Sequence, residues 1–269
     1  MFKNKNQSIN YLKIFLLIVF VGALLSIFFK VFRIIDQHKL KGDSYNILYL
    51  SNDAYAMQFN TREKVMNVVL IKNAGNQLSK NSRIKNSLIL GIPFDGMIDS
   101  KDNLDLFFSN KKIMSLILSG GGNLNNLNEF DIAKIYFGYK FSGLKKTIKT
   151  INDIEDEGAI EQYASDFFIN KNIFNNKSSL EVVNSTGVNG LGSLVSQMLK
   201  NEGYNVVSVT SRAASSGGSK IVNRTIDSAY FKKLAIFFNL PEQKEEGIAV
   251  ADITIILQND WVKNNKIID

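Results

Sequence analysis

The stretch LEVVNSTGVNGLGSLVSQMLKNEGYNVVSV, residues 180–209, decides the fold. Leu180, Val182 and Val183 make a short β run, and NSTGVNG at residues 184–190 is turn chemistry. Leu191, Leu194, Val195, Met198 and Leu199 then recur at the spacing of an amphipathic helix. Gly203 stands where a C-cap glycine ends such a helix, and residues 206–209 form a second β run. The order strand, glycine-bearing turn, helix, strand is that of an α/β fold. Gly187 and Gly190 have two available roles. Peptide N–H groups at a helix start can hold an anion, or the glycines can supply positive φ and close helix–strand packing. The turn has no P-loop lysine and is not G-x-G-x-x-G, so packing is the favoured role. Asn184, Thr186, Gly187 and Gly190 are the candidate ligand-binding residues of this turn.

Downstream, Asn223-Arg224-Thr225-Ile226 reads as a middle strand, residues 229–240 as a second helix, and residues 252–257 (DITIIL) followed by Asn259-Asp260-Trp261 as a closing strand. Together with residues 180–209, these motifs resemble the LytR C-terminal domain. Its pattern is a strand, an N-G-T-G-x-x-G-L-A-like turn, a helix, a G-[FY]-x-V strand and a closing D-[IV]-T-[IV]-[IV]-L-G-x-D-[WF]. Ser185 replaces a glycine of that pattern, Gly192 its alanine and Gln258 its last glycine. The resemblance implies a small mixed-sheet unit, about residues 178–262, with two helices on one face. That domain accompanies cell-wall-associated LytR-CpsA-Psr proteins, and the resemblance assigns it no catalytic residues.

The chain has 269 residues, net charge +7 and 45% hydrophobic residues, enough for two domains. A basic balance suits an anionic envelope surface or nucleic acid. The lysines are spread along the chain and arginine is scarce, which argues against nucleic-acid recognition, since Arg is the bidentate donor. The absence of cysteine excludes disulfides, thiolate zinc sites and a Cys nucleophile. A single histidine, His38, argues against a His-clustered metal centre or a Ser-His-Asp triad.

At the N-terminus, IFLLIVFVGALLSIFF at residues 14–29 carries no charge. With Lys13 and Lys30 snorkelling, Leu12 to Phe32 can span, and residues 14–33 are the expected transmembrane anchor. No small-x-small cleavage site follows, so an uncleaved anchor is preferred to a signal peptide. Basic residues flank both ends, so charge does not orient it. Residues 46–50 and 65–71 read as strands and residues 51–60 as a loop. Residues 88–92 are an apolar run ended by a turn, residues 104–118 have helical spacing, and Gly120-Gly121-Gly122 is a break. Asn126 or Asn128 caps a helix over Ile132, Ile135, Tyr136 and Tyr139, residues 144–154 continue as helix, and residues 160–168 form one more amphipathic element. The polar residues 170–179 mark a domain boundary.

The opening of this middle region, NILYLSNDAYAMQFNTREKVMNVVLI at residues 46–71, is similar to the start of the LytR-CpsA-Psr catalytic domain, whose pattern is N-I-L-L-L-G-x-D-x-R, R-x-D-T and a strand ending I-P-R-D. Those enzymes transfer glycopolymers from a polyprenyl-pyrophosphate donor, with arginines on the pyrophosphate and acids serving Mg²⁺ and the acceptor. Asp53, Arg62 and Asp95 stand at matching positions. Tyr55, Lys64 and Phe94 stand where the pattern has Arg, Asp and Arg, and no arginine lies between Arg83 and Arg212. A pyrophosphate transition state needs several preorganised cations. Asp53, Arg62 and Asp95 are therefore vestigial catalytic candidates.

The expected architecture is α/β: a cytoplasmic tail (1–13), a transmembrane helix (14–33), an α/β domain (45–170) and a strand–helix–strand unit with a mixed sheet (178–262). The expected function is a non-catalytic, single-pass protein of the cytoplasmic membrane, its bulk extracytoplasmic. It would bind a wall polymer, a lipid-linked glycan or an envelope protein, without nucleic acid or cofactor. The alternatives are a glycopolymer transferase, the one reading that needs Mg²⁺, and a scaffold for an active homologue.

Overall fold

The computed structural model describes residues 5–36, 40, 42–102, 104, 109, 123–141, 143–215, 217–224, 229–247 and 249–267. Helix α1 (Lys5–Asp36) is 32 residues long. Its apolar side chains stand in the open, from Ile14 at 54% to Phe29 at 65% exposure. Among the described residues, no helix is long and apolar enough to cross a membrane.

After α1 the chain builds a six-stranded sheet of order β5-β4-β1-β2-β3-β6. Its strands are β1 (Ser44–Leu50), β2 (Ala54–Asn60), β3 (Val65–Ile71), β4 (Gly96–Asp99), β5 (Asn123–Asn125) and β6 (Lys145–Ile151). Strands β1, β2 and β3 form an antiparallel meander, and β4 and β6 add in parallel to β1 and β3. The pleat sends alternate residues to opposite faces. Tyr45, Ile47, Tyr49, Met57 and Phe59 pack with α3 (Glu129–Phe141) on one side. Leu48, Leu50, Ala54 and Ala56 pack on the other with Leu90 of α2 (Arg83–Leu90) and Ile160 of α4 (Glu157–Phe167). The sheet is thus covered on both faces.

Three sequence expectations change here. Residues 51–60 are no loop, because residues 54–60 are β2, a central strand whose small alanines face one layer and whose Met57 and Phe59 face the other. Residues 144–154 do not continue the helix. Thr147, Ile148, Thr150 and Ile151 are β-branched, and β6 forms an edge strand in which the only fully buried residue is Ile151. The apolar run at 88–92 ends helix α2, which Ser82 caps by accepting from Lys85 N at 3.1 Å and Gly91 terminates. Ile92-Pro93-Phe94-Asp95 therefore leads into β4 instead of closing a strand. The expected cap at Asn128 is present, its Oδ1 accepting from Asp131 N at 3.0 Å. Most of residues 104–118, and Gly120-Gly121-Gly122, lie outside the described residues.

Helix α5 (Lys171–Phe174) links to a five-stranded mixed sheet of order β10-β9-β11-β7-β8. Strand β7 (Ser179–Ser185) runs parallel to β8 (Asn205–Ser211) and β11 (Ile253–Gln258). Strand β9 (Lys220–Asn223) is antiparallel to β11 and parallel to β10 (Glu242–Lys244). The middle strand expected at 223–226 thus ends at Asn223, and residues 225–228 lie outside the described residues. Helix α6 (Leu191–Glu202) connects β7 to β8, as the sequence predicts. Leu191, Val195, Met198 and Leu199 of α6 share one core with Phe231, Leu234 and Phe238 of α7 (Ala229–Phe238) and Trp261 of α8 (Asn259–Asn264). Ile84 and Leu88 of α2 and Ile173 of α5 belong to the same core, so α2 serves both sheets.

Candidate functional site

The three vestigial candidates do not meet. Asp53 precedes β2, and its Oδ1 accepts from Asn73 N at 2.9 Å. Arg62 lies beyond the other end of β2, exposed, with Nη1 3.5 Å from Asn172 Oδ1. Seven strand residues at about 3.3 Å each separate them by on the order of 20 Å. Asp95 sits beside Asn46, accepting its backbone N–H at 2.8 Å. Phe94, at the arginine position of the motif, is fully buried in the core on one face of the first sheet. Tyr55 packs against the core on the other face. Two positions that would have to converge on one pyrophosphate thus point to opposite layers. The donor set does not fit a magnesium ion either. Asp53 and Asp95 are held apart by different backbone partners, and among the described residues no three His, Cys, Asp or Glu side chains gather around one point.

The turn at residues 184–190 satisfies itself. Asn184 Oδ1 accepts from Thr186 N (3.1 Å) and Thr186 Oγ1 (2.7 Å), while Asn184 Nδ2 donates to Val188 O at 2.9 Å. Thr186 Oγ1 accepts from Val188 N at 3.0 Å. Both side chains are buried. Gly190 adopts φ 76° at the start of α6 without a side-chain cap. The close approach belongs to Gly192, where a Cβ would stand 3.1 Å from Val209 Cγ1 and 3.2 Å from Asn184 Cβ.

Charge gathers elsewhere, at the seam between the two sheets. Lys233 of α7 ion-pairs with Glu202 at the end of α6, and its Nζ lies 3.9 Å from Asp95. Arg83 of α2, buried beside them, donates to the carbonyls of Phe94 and Phe237, the latter at 2.6 Å, and its guanidinium stacks 4.7 Å from the Phe237 ring centre. Burial pushes the Glu202 carboxyl up to about 6, against the pull of Lys233. Burial opposes the charge on Lys233, but Asp95 and Glu202 outweigh it and hold the ammonium protonated. A lysine so held is a cation that joins two elements, not a nucleophile or base. Next to it lies a largely apolar cavity of about 280 Å³ lined by Ser44, Asn170, Ile173, Tyr230 and Ile236. Sequence reading does not find Lys233 or Glu202, because their partnership spans 31 positions and no local pattern reports it.

A second cavity, of about 400 Å³, opens at the C-terminal end of α6. Phe174, Lys177, Lys200, Gly203, Tyr204 and Asn205 line it. Gly203 has φ 104° and lies against α5, where a Cβ would meet Phe174 N at 3.2 Å. Sequence places Gly203 at the helix end but not Phe174 against it.

Residues 177–261 match the model of the family described as LytR cell envelope-related transcriptional attenuator, which marks this segment as a cell-envelope-related domain. Comparisons with curated proteins and with solved structures give no match.

Proposed function

We propose that this chain is a membrane-anchored cell-envelope protein that binds an anionic wall polymer through its C-terminal unit and performs no transfer chemistry. The observation that carries the reading is the burial of Phe94 on one face of the first sheet while Tyr55 packs on the other. The cations that a pyrophosphate transition state requires are thereby missing. The family match over residues 177–261 supports the envelope setting. The exposed apolar side chains of α1 support an anchor at residues 14–33, and the family resemblance supports a bulk of the chain outside the cytoplasm. The charge of +7 supports an anionic partner.

The test is a titration of the full chain in detergent micelles with an anionic wall-polymer fraction and with polyprenyl pyrophosphate plus Mg²⁺. The expected result is saturable polymer binding that weakens with salt and no consumption of the pyrophosphate. Turnover of the pyrophosphate donor that disappears in Arg62→Ala would establish the transferase reading instead.

A further inference from the structure

The second cavity has the chemistry of a saccharide subsite with a preference for negative charge. Phe174 is 65% exposed, a large ring held at the rim of a depression. Lys177 and Lys200 line the same depression and are exposed. Among the described residues neither ammonium has a carboxylate within ion-pair distance. Elsewhere in the molecule the apolar cavity at the seam has an ammonium that two acids already hold. The glycine turn at the other end of α6 has turned its polar atoms inward. Twelve residues of α6 put that turn about 18 Å from the cavity.

The floor is built, not incidental. Gly203 takes a left-handed conformation that lets the end of α6 close on the Phe174 backbone. Tyr204 N and Gly203 N cap carbonyls of the last helical turn, which holds Tyr204 under the depression. Asn205 begins β8 at the edge and is exposed. An aromatic ring offers a face to the C–H groups of a sugar. Two ammonium groups meet phosphate or carboxylate charges, and the Asn205 amide meets hydroxyls. A volume of about 400 Å³ lies within the range for a small ligand.

We infer that the cavity between Phe174, Lys177 and Lys200 binds one anionic sugar unit of a polymer, carrying phosphate or carboxylate. This deepens the polymer-binding reading above and rests on it. The site straddles the start of the family-matched segment: Phe174 precedes it and Lys177 opens it.

The experiment uses the full chain in micelles and isothermal titration with three probes. Glucose-6-phosphate and a glucuronate oligosaccharide carry the two kinds of charge, and a neutral glucan oligosaccharide carries none. Binding of either charged probe, stronger than the neutral one, is expected. The double variant Lys177→Gln/Lys200→Gln should weaken it about tenfold, two exposed ion pairs being worth about 1.4 kcal/mol together. Phe174→Ala should weaken charged and neutral probes alike. Lys263→Gln/Lys266→Gln removes the same net charge at the C-terminus and should leave binding unchanged. Equal losses in the two lysine pairs would reduce the effect to net charge and overturn the site. Binding of the wall-polymer fraction that survives all variants would overturn the site while leaving the polymer reading standing. No binding of any saccharide or polymer would remove both.

Discussion

Phe94 is the residue at which the catalytic resemblance fails, and the reason is packing. Its ring is fully buried between the first sheet and its helices, and its carbonyl accepts from Arg83. Phe94→Arg, which restores the motif, would bury a second guanidinium beside Arg83 without a carboxylate of its own. The expected cost is on the order of 4 kcal/mol in urea unfolding, with no gain of transferase turnover. A folded, active Phe94→Arg would show that the pocket was only dormant. Glu202 makes a second prediction at this scale. Its carboxyl in the folded chain stands near 6, against an ordinary 4.5. A group raised on folding adds stability that is complete below its unfolded value and is lost as pH rises through its folded value. The loss between about pH 4 and 7 should be on the order of 2 kcal/mol. Glu202→Gln should flatten that part of the pH–stability curve, and an unchanged slope would mean that Glu202 does not carry the loss.

Among the elements, α2 and β6 show how context overrides a local pattern. Helix α2 is only eight residues long, yet Leu90 enters the core of the first sheet while Ile84 and Leu88 enter that of the second. Ser82, its N-cap, also donates through Oγ to Asn265 O at 2.6 Å, tying the helix start to the C-terminal end of the chain. Strand β6 carries Lys145, Lys146 and Lys149 around Ile148, which is 64% exposed. Lysines on an edge strand discourage pairing with another chain, and Lys146 Nζ settles 3.6 Å from the centre of the Tyr139 ring.

Across the whole molecule, the polar boundary expected at residues 170–179 is bridged by direct contacts. Asn170 N donates to Glu202 O at 2.9 Å, Asn201 Nδ2 donates to Gly91 O at 2.9 Å, and Ile173 enters the C-terminal core. Residues 177–267 expressed alone would lose Ile84, Leu88 and Ile173 from that core and expose the faces they cover. Three buried aliphatic side chains are worth about 5 kcal/mol together. The fragment should therefore unfold at much lower urea than the full chain or fail to unfold cooperatively. A fragment as stable as the full chain would make the seam a loose contact between independent domains.

What the sequence determined by itself is local in character. The period of residues 180–209, the C-cap at Gly203 and the run at 252–257 fix β7, α6, β8 and β11, because helix and strand periodicities are written in neighbouring residues. The same reading mistakes β2 for a loop, since Gln58 and Asn60 look polar until a sheet buries Gln58 and gives it Asn67 as a partner. It also mistakes β6 for helix, because an edge strand has no buried face to reveal its period. Of the candidate site, sequence shows that Tyr55 and Phe94 stand where the resembled motif has arginines, a matter of residue identity alone. Only the tertiary structure decided where charge and cavities lie. Asp95 before β4, Glu202 of α6 and Lys233 of α7 come together, and Phe174 lies against Gly203. Such contacts depend on how α2, α5, α6 and α7 pack, and packing joins residues that no spacing along the chain connects.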